Sequence, residues 1–294
     1  MNRNLYRLIG ILLALGVIAY ILLRQPGEQS VNPAESERIL ALDSAAVDRI
    51  EIASPGSSLL TLVKRGAEWF IDKPISYKAN ASHAASLLSQ ASTLTATALV
   101  SDKPDKQQLF EVDSTGTTVS FHWGSSQAAL VVGKQGPSYS EVYARPSGSD
   151  NVYLVDGALS SSVKRPLKEW RDKSIVTMPM ESIRKVDFAY GDTTFSLMWR
   201  DSVWSVDAQP ANDAAVNSFL RSLSGLETDE FIDTPPASLR PVASIAFQGL
   251  RLSVSQTKGS ENYVIRTSAS PQYFELRGWN ANQILKRRKD FLKP

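Results

Sequence analysis

The chain contains one pattern of strands and helices twice, and this duplication limits its fold more than any other feature. Each copy has a strand–turn–strand segment with a tryptophan at the same place, Trp69 in the first copy and Trp204 in the second. That pattern is typical of a β-hairpin. A helix then follows an asparagine in each copy, Asn80 or Asn212, and asparagine is a favoured N-cap. Two copies of about 110–130 residues indicate a tandem domain duplication rather than a solenoid.

Matching segments continue to the end of each copy. They are a strand after the helix, two later strands and a closing helix: 98–100 with 230–232, 141–145 with 262–266, 152–155 with 273–276, and 158–170 with 280–291. We predict an α+β fold in which an N-terminal transmembrane helix precedes two tandem repeats, each an antiparallel β-meander with two helices. The predicted bounds are 1–24 for the membrane anchor, 25–46 for a linker, 47–177 for repeat 1 and 182–294 for repeat 2.

An apolar segment near the N-terminus predicts the membrane anchor. The sixteen residues Leu8–Leu23 carry no charge, and Leu5–Arg7 extends the segment to nineteen residues. A helix of that length spans about 28 Å at about 1.5 Å per residue, close to the thickness of a bilayer core. Arg3 and Arg7 precede the apolar run, so the positive-inside rule leaves the N-terminus in the cytoplasm. We expect a single-pass protein of the bacterial inner membrane with its bulk in the periplasm.

A cleaved secretory signal is the alternative interpretation of this segment. Ala19 is a small residue of the kind that a signal peptidase requires. A cut after Ala19 would divide the apolar run and leave the residues 20–23 on the mature protein. The sequence therefore favours an uncleaved anchor, with residues 5–23 in the membrane.

Composition excludes several classes of function. The chain has no cysteine, and its two histidines, His83 and His122, cannot by themselves form a multi-histidine metal site. Three of the 32 basic residues lie in the first 24, which leaves 29 basic residues against 30 acidic ones and no surplus of charge for nucleic acid. Neither glycine-rich nucleotide-binding motif occurs. We predict no metal, no cofactor and no nucleic-acid partner.

A family resemblance rests on the anchor and on several patterned strands. The segments that carry it are 5–23, Ile50 with Leu62, Trp69–Ile71, Val131–Lys134, Tyr143–Arg145, Val152–Val155 and Trp170–Lys173. With these the chain resembles the bacterial domain-of-unknown-function family 4340. Members of that family typically have one N-terminal membrane helix and an extracytoplasmic part, and they are often encoded beside ABC-type transporters similar to those of gliding motility. The resemblance implies an accessory role next to a transporter and no catalytic residues.

Two patterns suggest an enzyme and are better explained otherwise. Ser161 and Lys164 fit the S-x-x-K motif of penicillin-binding enzymes, but the S-D-N motif at 149–151 precedes them, whereas it follows in those enzymes. We interpret the match as chance. Asp72 and Asp207 recur at one position of the repeat, where a carboxylate pair could perform acid–base chemistry. A turn role is the simpler prediction, because aspartate accepts backbone hydrogen bonds at strand ends.

A few residues are candidates for contact with a ligand or partner. Trp69 and Trp204 recur in the repeat and are predicted core residues, whereas Trp199 lies outside the shared pattern and is a better surface candidate. A basic run near the C-terminus could contact anionic lipid headgroups or an acidic partner, or it could be a solvated helix end. The candidate contact residues are Trp199, Lys286, Arg287, Arg288 and Lys289.

These observations lead to one main functional expectation. We expect a non-catalytic extracytoplasmic accessory or scaffold subunit of an ABC-type membrane transport complex, with the permease and the ATPase subunits as partners. The alternative is a module that binds a glycan or a lipid of the cell envelope. An envelope hydrolase that uses acidic residues is a further rival.

Overall fold

A computed structural model describes residues 38–293. The predicted anchor at 5–23 and residues 25–37 of the predicted linker lie outside the described residues. Within residues 38–293 no helix has both the length and the apolar character that a membrane crossing needs. Contacts divide the chain into two units, of which the first ends at Arg165 and the second begins at Pro166.

Unit 1 contains nine strands among its described residues. They are β1 (Arg49–Ala53), β2 (Leu60–Arg65), β3 (Glu68–Lys73), β4 (Tyr77–Lys78), β5 (Ala98–Ser101), β6 (Thr117–Trp123), β7 (Ser126–Gln135), β8 (Glu141–Pro146) and β9 (Val152–Asp156). Its helices are α1 (Ala81–Ser92), α2 (Ala158–Val163) and a 3₁₀ helix (Pro104–Phe110).

Unit 2 also contains nine strands among its described residues. Its strands are β10 (Lys185–Tyr190), β11 (Thr193–Arg200), β12 (Val203–Val206), β13 (Gln209–Pro210), β14 (Glu230–Ile232), β15 (Arg240–Phe247), β16 (Leu250–Gln256), β17 (Tyr263–Thr267) and β18 (Ser270–Leu276). Its helices are α3 (Leu167–Trp170), α4 (Asp213–Ser224), α5 (Gly278–Ile284) and the 3₁₀ helices Met180–Ser182 and Arg288–Phe291.

The two sheets have the same strand order, which confirms the internal repeat. The order is β4-β3-β2-β1-β6-β7-β8-β9-β5 in unit 1 and β13-β12-β11-β10-β15-β16-β17-β18-β14 in unit 2. Each strand of the second sheet corresponds to the strand numbered nine lower in the first. The α+β class is likewise confirmed, with antiparallel sheets and few helices in the described part of the chain.

Neither sheet is a single continuous meander, which corrects the predicted topology of each repeat. In unit 1, β1 pairs with β2 on one side and with β6 on the other, so that Arg49 lies opposite both Val63 and His122. Two runs of hairpins therefore meet at β1. Between them the chain forms α1 and β5, and β5 pairs with β9 at the far edge of the sheet. The same excursion occurs in unit 2, where β14 pairs with β18.

A short pairing at the start of each unit extends the repeat upstream of residue 47. Arg38 forms an isolated β-bridge with Thr95, and Ser174 forms the equivalent bridge with Glu227. Leu40 follows and is buried in unit 1. The last part of the predicted linker is therefore packed on the first sheet unit, as residues 174–176 are packed on the second.

Asparagine caps and apolar faces position the main helices as predicted. Asn80 Oδ1 accepts a hydrogen bond from the backbone N–H of His83 (3.2 Å), and Asn212 Oδ1 accepts bonds from Ala214 and Ala215 (3.0 and 3.2 Å). The residues of α1 that face the core are Ala84, Leu87, Leu88 and Ala91. Those of α4 are Val216, Phe219, Leu220 and Leu223.

An aromatic cluster forms the centre of the unit 2 core. The ring of Phe188, on β10, lies 4.4 Å from that of Phe195 on β11 and 5.4 Å from that of Phe219 on α4, measured between centroids. Phe291, in the last 3₁₀ helix, is 5.8 Å from Phe188. The cluster thus joins strand, helix and C-terminal segment in one packed group.

The predicted closing helices are each broken in two, which corrects the sequence interpretation. The helix expected at 158–170 ends at Val163, and a separate turn begins after Pro166, because proline has no N–H to continue the helix. The helix expected at 280–291 covers Gly278–Ile284 instead. Arg287 is extended (φ −99°, ψ 161°) and caps a new 3₁₀ turn through Asp290.

Candidate functional site

The tryptophans shared by the repeats are core residues, as predicted. Trp69 and Trp204 expose 6% and 5% of their surface. Trp199 lies on β11 opposite Trp204, and the two rings are 5.4 Å apart. The guanidinium of Arg184 sits 5.7 Å from the Trp199 ring, which is partly buried against the unit 2 core. Trp199 is thus a partly buried, packed aromatic and not an isolated surface platform.

The basic run 286–289 is largely engaged within unit 2. The guanidinium of Arg287 lies 3.8 Å from the ring centroid of Tyr190, a cation–π contact. Arg288 Nε donates to Asp207 Oδ2 (3.0 Å) and its terminal nitrogen donates to Gln209 Oε1 (2.9 Å). These arginines fasten the C-terminal segment to the sheet, and among the four residues Arg287 and Lys289 are the exposed ones.

The hydroxyl of Tyr190 gives this region a pH-dependent component. It donates a 2.7 Å hydrogen bond to the carbonyl of Lys286. Burial raises the pKa of Tyr190 to about 12, although the positive charge of Arg287 opposes the shift. The native state therefore keeps the Tyr190 proton at a pH where an unfolded chain, with an ordinary tyrosine pKa of 10.0, has begun to lose it.

We expect Tyr190→Phe to reduce the free energy of unfolding by about 1–2 kcal/mol at neutral pH, because the Lys286 carbonyl loses its donor. Above a pH of about 10 the wild type should lose up to about 1.4 kcal/mol per pH unit from this group, whereas the variant has no such term. The stability difference should therefore narrow as the pH rises. Denaturant titrations of both proteins from neutral to alkaline pH measure it. A difference that stays constant would contradict the role given to Tyr190.

The residues of the enzyme-like motifs have local structural roles. Ser161 Oγ donates to the carbonyl of Ala158 (2.8 Å), and Lys164 Nζ donates to the carbonyl of Gly133 (2.9 Å). Asp207 lies in a turn with φ of 46° and accepts from the backbone N–H of Ser196, which confirms the turn prediction there. Asp72 instead lies within β3 and pairs with Arg65 (3.3 Å), so the turn prediction is wrong for Asp72.

The two histidines have separate partners in unit 1. His122 Nε2 lies 3.4 Å from Glu51, and His83 Nε2 lies 3.3 Å from a terminal nitrogen of Arg165. Among the residues that the structure describes, no group of three or more His, Asp or Glu side chains is placed to hold a metal ion.

A polar pocket of about 490 Å³ opens in unit 1 where the end of α1 meets the start of α2. Its size falls within the range of about 300–1,000 Å³ typical of small-ligand sites. Hydroxyl, amide and carboxylate side chains dominate its lining, which includes Gln90, Thr93, Thr95, Thr97, Glu141 and Asp156. Leu94, Ala158 and Leu159 are the apolar residues of the lining.

The hydrogen-bonding capacity of this pocket is only partly used. Nε2 of Gln90 donates to Ser86 Oγ (3.2 Å), while Oε1 of Gln90 is buried and has no hydrogen-bond partner among the described residues. Asp156 uses Oδ1 to accept from the backbone N–H of Ala158 (2.7 Å). No described residue forms a hydrogen bond or an ion pair with the carboxylate of Glu141. The pocket therefore offers acceptors to a ligand that carries donors.

Two acidic residues of the pocket are paired in the sheet register. Glu141 on β8 and Asp156 on β9 are partners in the antiparallel register. Residues opposite each other in such a pair have Cβ atoms about 4.5–5.5 Å apart, and like charges there are destabilising. Within the described lining of the pocket no lysine or arginine offsets these two charges.

In unit 2 two side chains are cross-linked at the equivalent position. Thr97 and Asp229 are equivalent, since the N–H of Thr97 donates to the carbonyl of Leu154 on β9 and that of Asp229 to Glu275 on β18. Asn280 Nδ2 donates to both carboxylate oxygens of Asp229 (2.9 Å each). In unit 1 Leu159 occupies the position of Asn280, and no such cross-link forms among the described residues.

Each unit has one exposed aromatic residue at this end, and sequence reasoning missed both. Tyr139, next to the pocket residue Ser140, is 95% exposed, and Trp279, at the start of α5, is 65% exposed. A Cβ on Gly157 or Gly278 would touch the loop that precedes β8 or β17, which shows that the closing helix and this loop meet in both units. Neither aromatic belongs to a shared sequence motif, so the repeat gave no signal for them.

Comparison with known proteins identifies a family and nothing finer. A family model described as a domain of unknown function, DUF4340, matches residues 69–242. No curated protein and no solved structure matches the chain. The matched segment begins at the core residue Trp69 of the first hairpin and runs into β15 of the second sheet, so it includes parts of both repeats. Because it covers more than half of the 294 residues, the chain belongs to the DUF4340 family.

Proposed function

We propose that this protein is a non-catalytic extracytoplasmic accessory or scaffold subunit of an ABC-type membrane transport complex. Residues 5–23 anchor it in the inner membrane with the N-terminus in the cytoplasm, and both units lie in the periplasm. The observation that carries the proposal is the duplication of one sheet unit within one chain, which offers two related surfaces to a partner assembly. Membership of DUF4340, and the neighbourhood with transporters that the resemblance implies, also support it.

The local chemistry of the enzyme-like motifs supports a non-catalytic role. In an S-x-x-K site the lysine would take the proton of the serine hydroxyl. Here Ser161 Oγ and Lys164 Nζ both donate to backbone carbonyls, those of Ala158 and Gly133. Lys164 thereby joins α2 to β7, which is a structural task.

The edge of the first sheet that β5 forms is the best candidate for the partner surface. Its order ends on β5, where Leu99 and Val100 are 48% and 38% exposed. The register shifts between Leu99 and Ser101, and such a bulge discourages further strand pairing. A partner would therefore pack on the apolar side chains. On the equivalent edge of unit 2 the guanidinium of Arg171 covers the Phe231 ring at 4.8 Å.

Affinity purification of the tagged full-length chain in mild detergent, followed by mass spectrometry, tests this proposal. We expect a permease and an ATPase of the ABC type to be recovered with it. Leu99→Asp should weaken their recovery, because a charge at the edge opposes apolar packing. Val203→Asp is the matched control, since Val203 is an equally exposed aliphatic residue (50%) on β12 of the other sheet.

Two results would count against the proposal. Recovery of the wild-type chain alone, stable and monodisperse, removes the transporter association. Equal recovery of partners with Leu99→Asp and Val203→Asp removes β5 as the contact surface and leaves the association itself in place.

A second candidate function, binding of a cell-envelope glycan, is supported by the polar pocket of unit 1. Hydroxyl-rich ligands need many donors and acceptors, and the Thr, Gln and carboxylate side chains of the lining supply them. Seven of the ten residues described for its lining are polar, which favours a glycan over a lipid chain. Ligand-observed NMR with soluble sugars tests this candidate, and binding of lipid vesicles without binding of any sugar would contradict it.

A further inference from the structure

The negative charge of the unit 1 pocket indicates which class of ligand it would bind. From the geometry we infer that this pocket binds a hydroxylated ligand that carries a protonated amine, such as an amino sugar, with the amine at Glu141 and Asp156. The inference rests on the second candidate function, since it names the class of glycan that the same pocket would take. Three features carry it: an unbalanced carboxylate pair, two threonine hydroxyls without described partners, and the contrast with unit 2.

The carboxylate pair selects for positive charge. Glu141 and Asp156 are opposite each other across β8 and β9, and the lining described for the pocket contains no cation. A protonated amine between them would relieve their repulsion and donate up to three hydrogen bonds. An anionic sugar would add a third negative charge, so the pocket should reject it.

The remaining polar groups suit hydroxyl groups rather than a bare cation. Thr95 and Thr97 line the pocket, and no hydrogen bond among the described residues uses their hydroxyls. A polyol can exchange hydrogen bonds with these two hydroxyls. Tyr139, adjacent to Ser140, offers an exposed ring of the kind that packs on a sugar or a cation.

The second repeat shows what the same scaffold looks like without these features. Asn262 and Arg277 occupy the positions of Glu141 and Asp156, because Tyr263 and Leu276 are the adjacent register pair of β17 and β18. The like-charge pair is absent there, and Asp229 is already bonded to Asn280 and to the N–H of Arg277 (2.8 Å). A shared structural requirement of the fold would have kept the same arrangement in both units.

Ligand titration of the full-length protein in detergent tests the inference. The probes are protonated glucosamine, glucose and gluconate, which differ in charge and share a hydroxylated six-carbon skeleton. We expect glucosamine to bind at least about tenfold more tightly than glucose, and gluconate to bind least. Calorimetry gives the affinities, and ligand-observed NMR extends them to weak binding.

Two isosteric variants and a matched control locate the binding. Glu141→Gln and Asp156→Asn should each weaken glucosamine at least about tenfold and reduce its advantage over glucose. Asn retains the oxygen that caps Ala158, so the fold is preserved. Glu261→Gln removes an exposed carboxylate from the corresponding loop of unit 2 and should change nothing. Glu141→Gln should melt at the wild-type temperature or above, because it removes a repulsion.

Each contrary result has a distinct meaning. Equal binding of glucose and glucosamine overturns the inference and leaves glycan binding in place. Binding of none of the three probes overturns the inference and the glycan candidate together. Preference for glucosamine that survives both Glu141→Gln and Asp156→Asn shows that the amine lies elsewhere, which also overturns it.

Discussion

Replacement of Gly133 by alanine is expected to lower the free energy of unfolding of unit 1 by about 3 kcal/mol, the upper end of the usual cost of overpacking. A Cβ at this position would lie 2.2 Å from the carbonyl oxygen of Phe110 and 2.7 Å from Cγ1 of Val112. The first of these atoms belongs to the backbone and cannot rotate away. The Gly133 carbonyl also accepts the Lys164 bond, so any shift of β7 disturbs α2 as well.

Hydrogen exchange measured by mass spectrometry can localise this loss. Peptides from β7 and from the 3₁₀ helix at 104–110 should exchange faster in Gly133→Ala than in wild type. The matched control is Gly225→Ala, where a Cβ would meet no atom within 4 Å and the backbone has negative φ. That control should remain within about 0.5 kcal/mol of wild type. Equal behaviour of the two variants would show that the close approach at Gly133 is not needed.

Phe188→Ala should be the most damaging single substitution in unit 2, at about 4 kcal/mol. The Phe188 side chain is 2% exposed, and its ring contacts those of Phe195, Phe219 and Phe291. Truncation removes the apolar transfer energy and leaves a cavity between β10, β11 and α4. The 3₁₀ helix that carries Phe291 also loses one of its anchors.

Chemical denaturation and near-ultraviolet circular dichroism measure this effect. Phe188→Leu keeps part of the volume and should cost about 1–2 kcal/mol, so the series separates volume from ring contacts. If Phe188→Ala unfolded at the same denaturant concentration as Phe188→Leu, the cluster would not be the energetic centre of the unit.

The parts of the fold that could be predicted from sequence are those encoded locally. Asn80 and Asn212 are read directly as helix caps, and the three- and four-residue spacing of Ala84, Leu87 and Leu88 gives the buried face of α1. The recurrence of a tryptophan in each hairpin revealed the duplication. The caps and the apolar spacing lie within or next to the helix that they specify.

Pairings between distant segments could not be read in the same way. Nothing in the residues 98–101 indicates that β5 joins β9, because an edge strand can pair with any partner that reaches it. The close approach of Gly133 to Phe110 depends on a 3₁₀ helix that precedes it by a whole strand. The helix predicted at 280–291 was wrong for a similar reason, since Tyr190 binds the Lys286 carbonyl from a strand about a hundred residues earlier.

The candidate site was missed because its chemistry depends on register. Glu141 and Asp156 look like ordinary surface acids in the sequence, and they become a pair only when β8 and β9 align. Trp199 and the basic run 286–289 stood out in the sequence by residue type. Arg287 and Arg288, however, contact Tyr190 and Asp207 within unit 2. The difference between Thr97 and Asp229 becomes informative only after the two repeats are superposed strand by strand.

The pairing of β1 with β6 determines the order in which the chain can fold as it is made. β1 can pair with β6 only after His122, the register partner of Arg49, has been synthesised. Closure of a loop of that length is entropically costly and slow. All strands described for the first sheet nevertheless come from residues 49–156, and those of the second sheet begin only at Lys185. Unit 1 therefore has every partner for its own ladder while the second copy is still being synthesised. Vectorial synthesis keeps two sets of strands with the same order from pairing with each other, which is the characteristic folding hazard of tandem repeats.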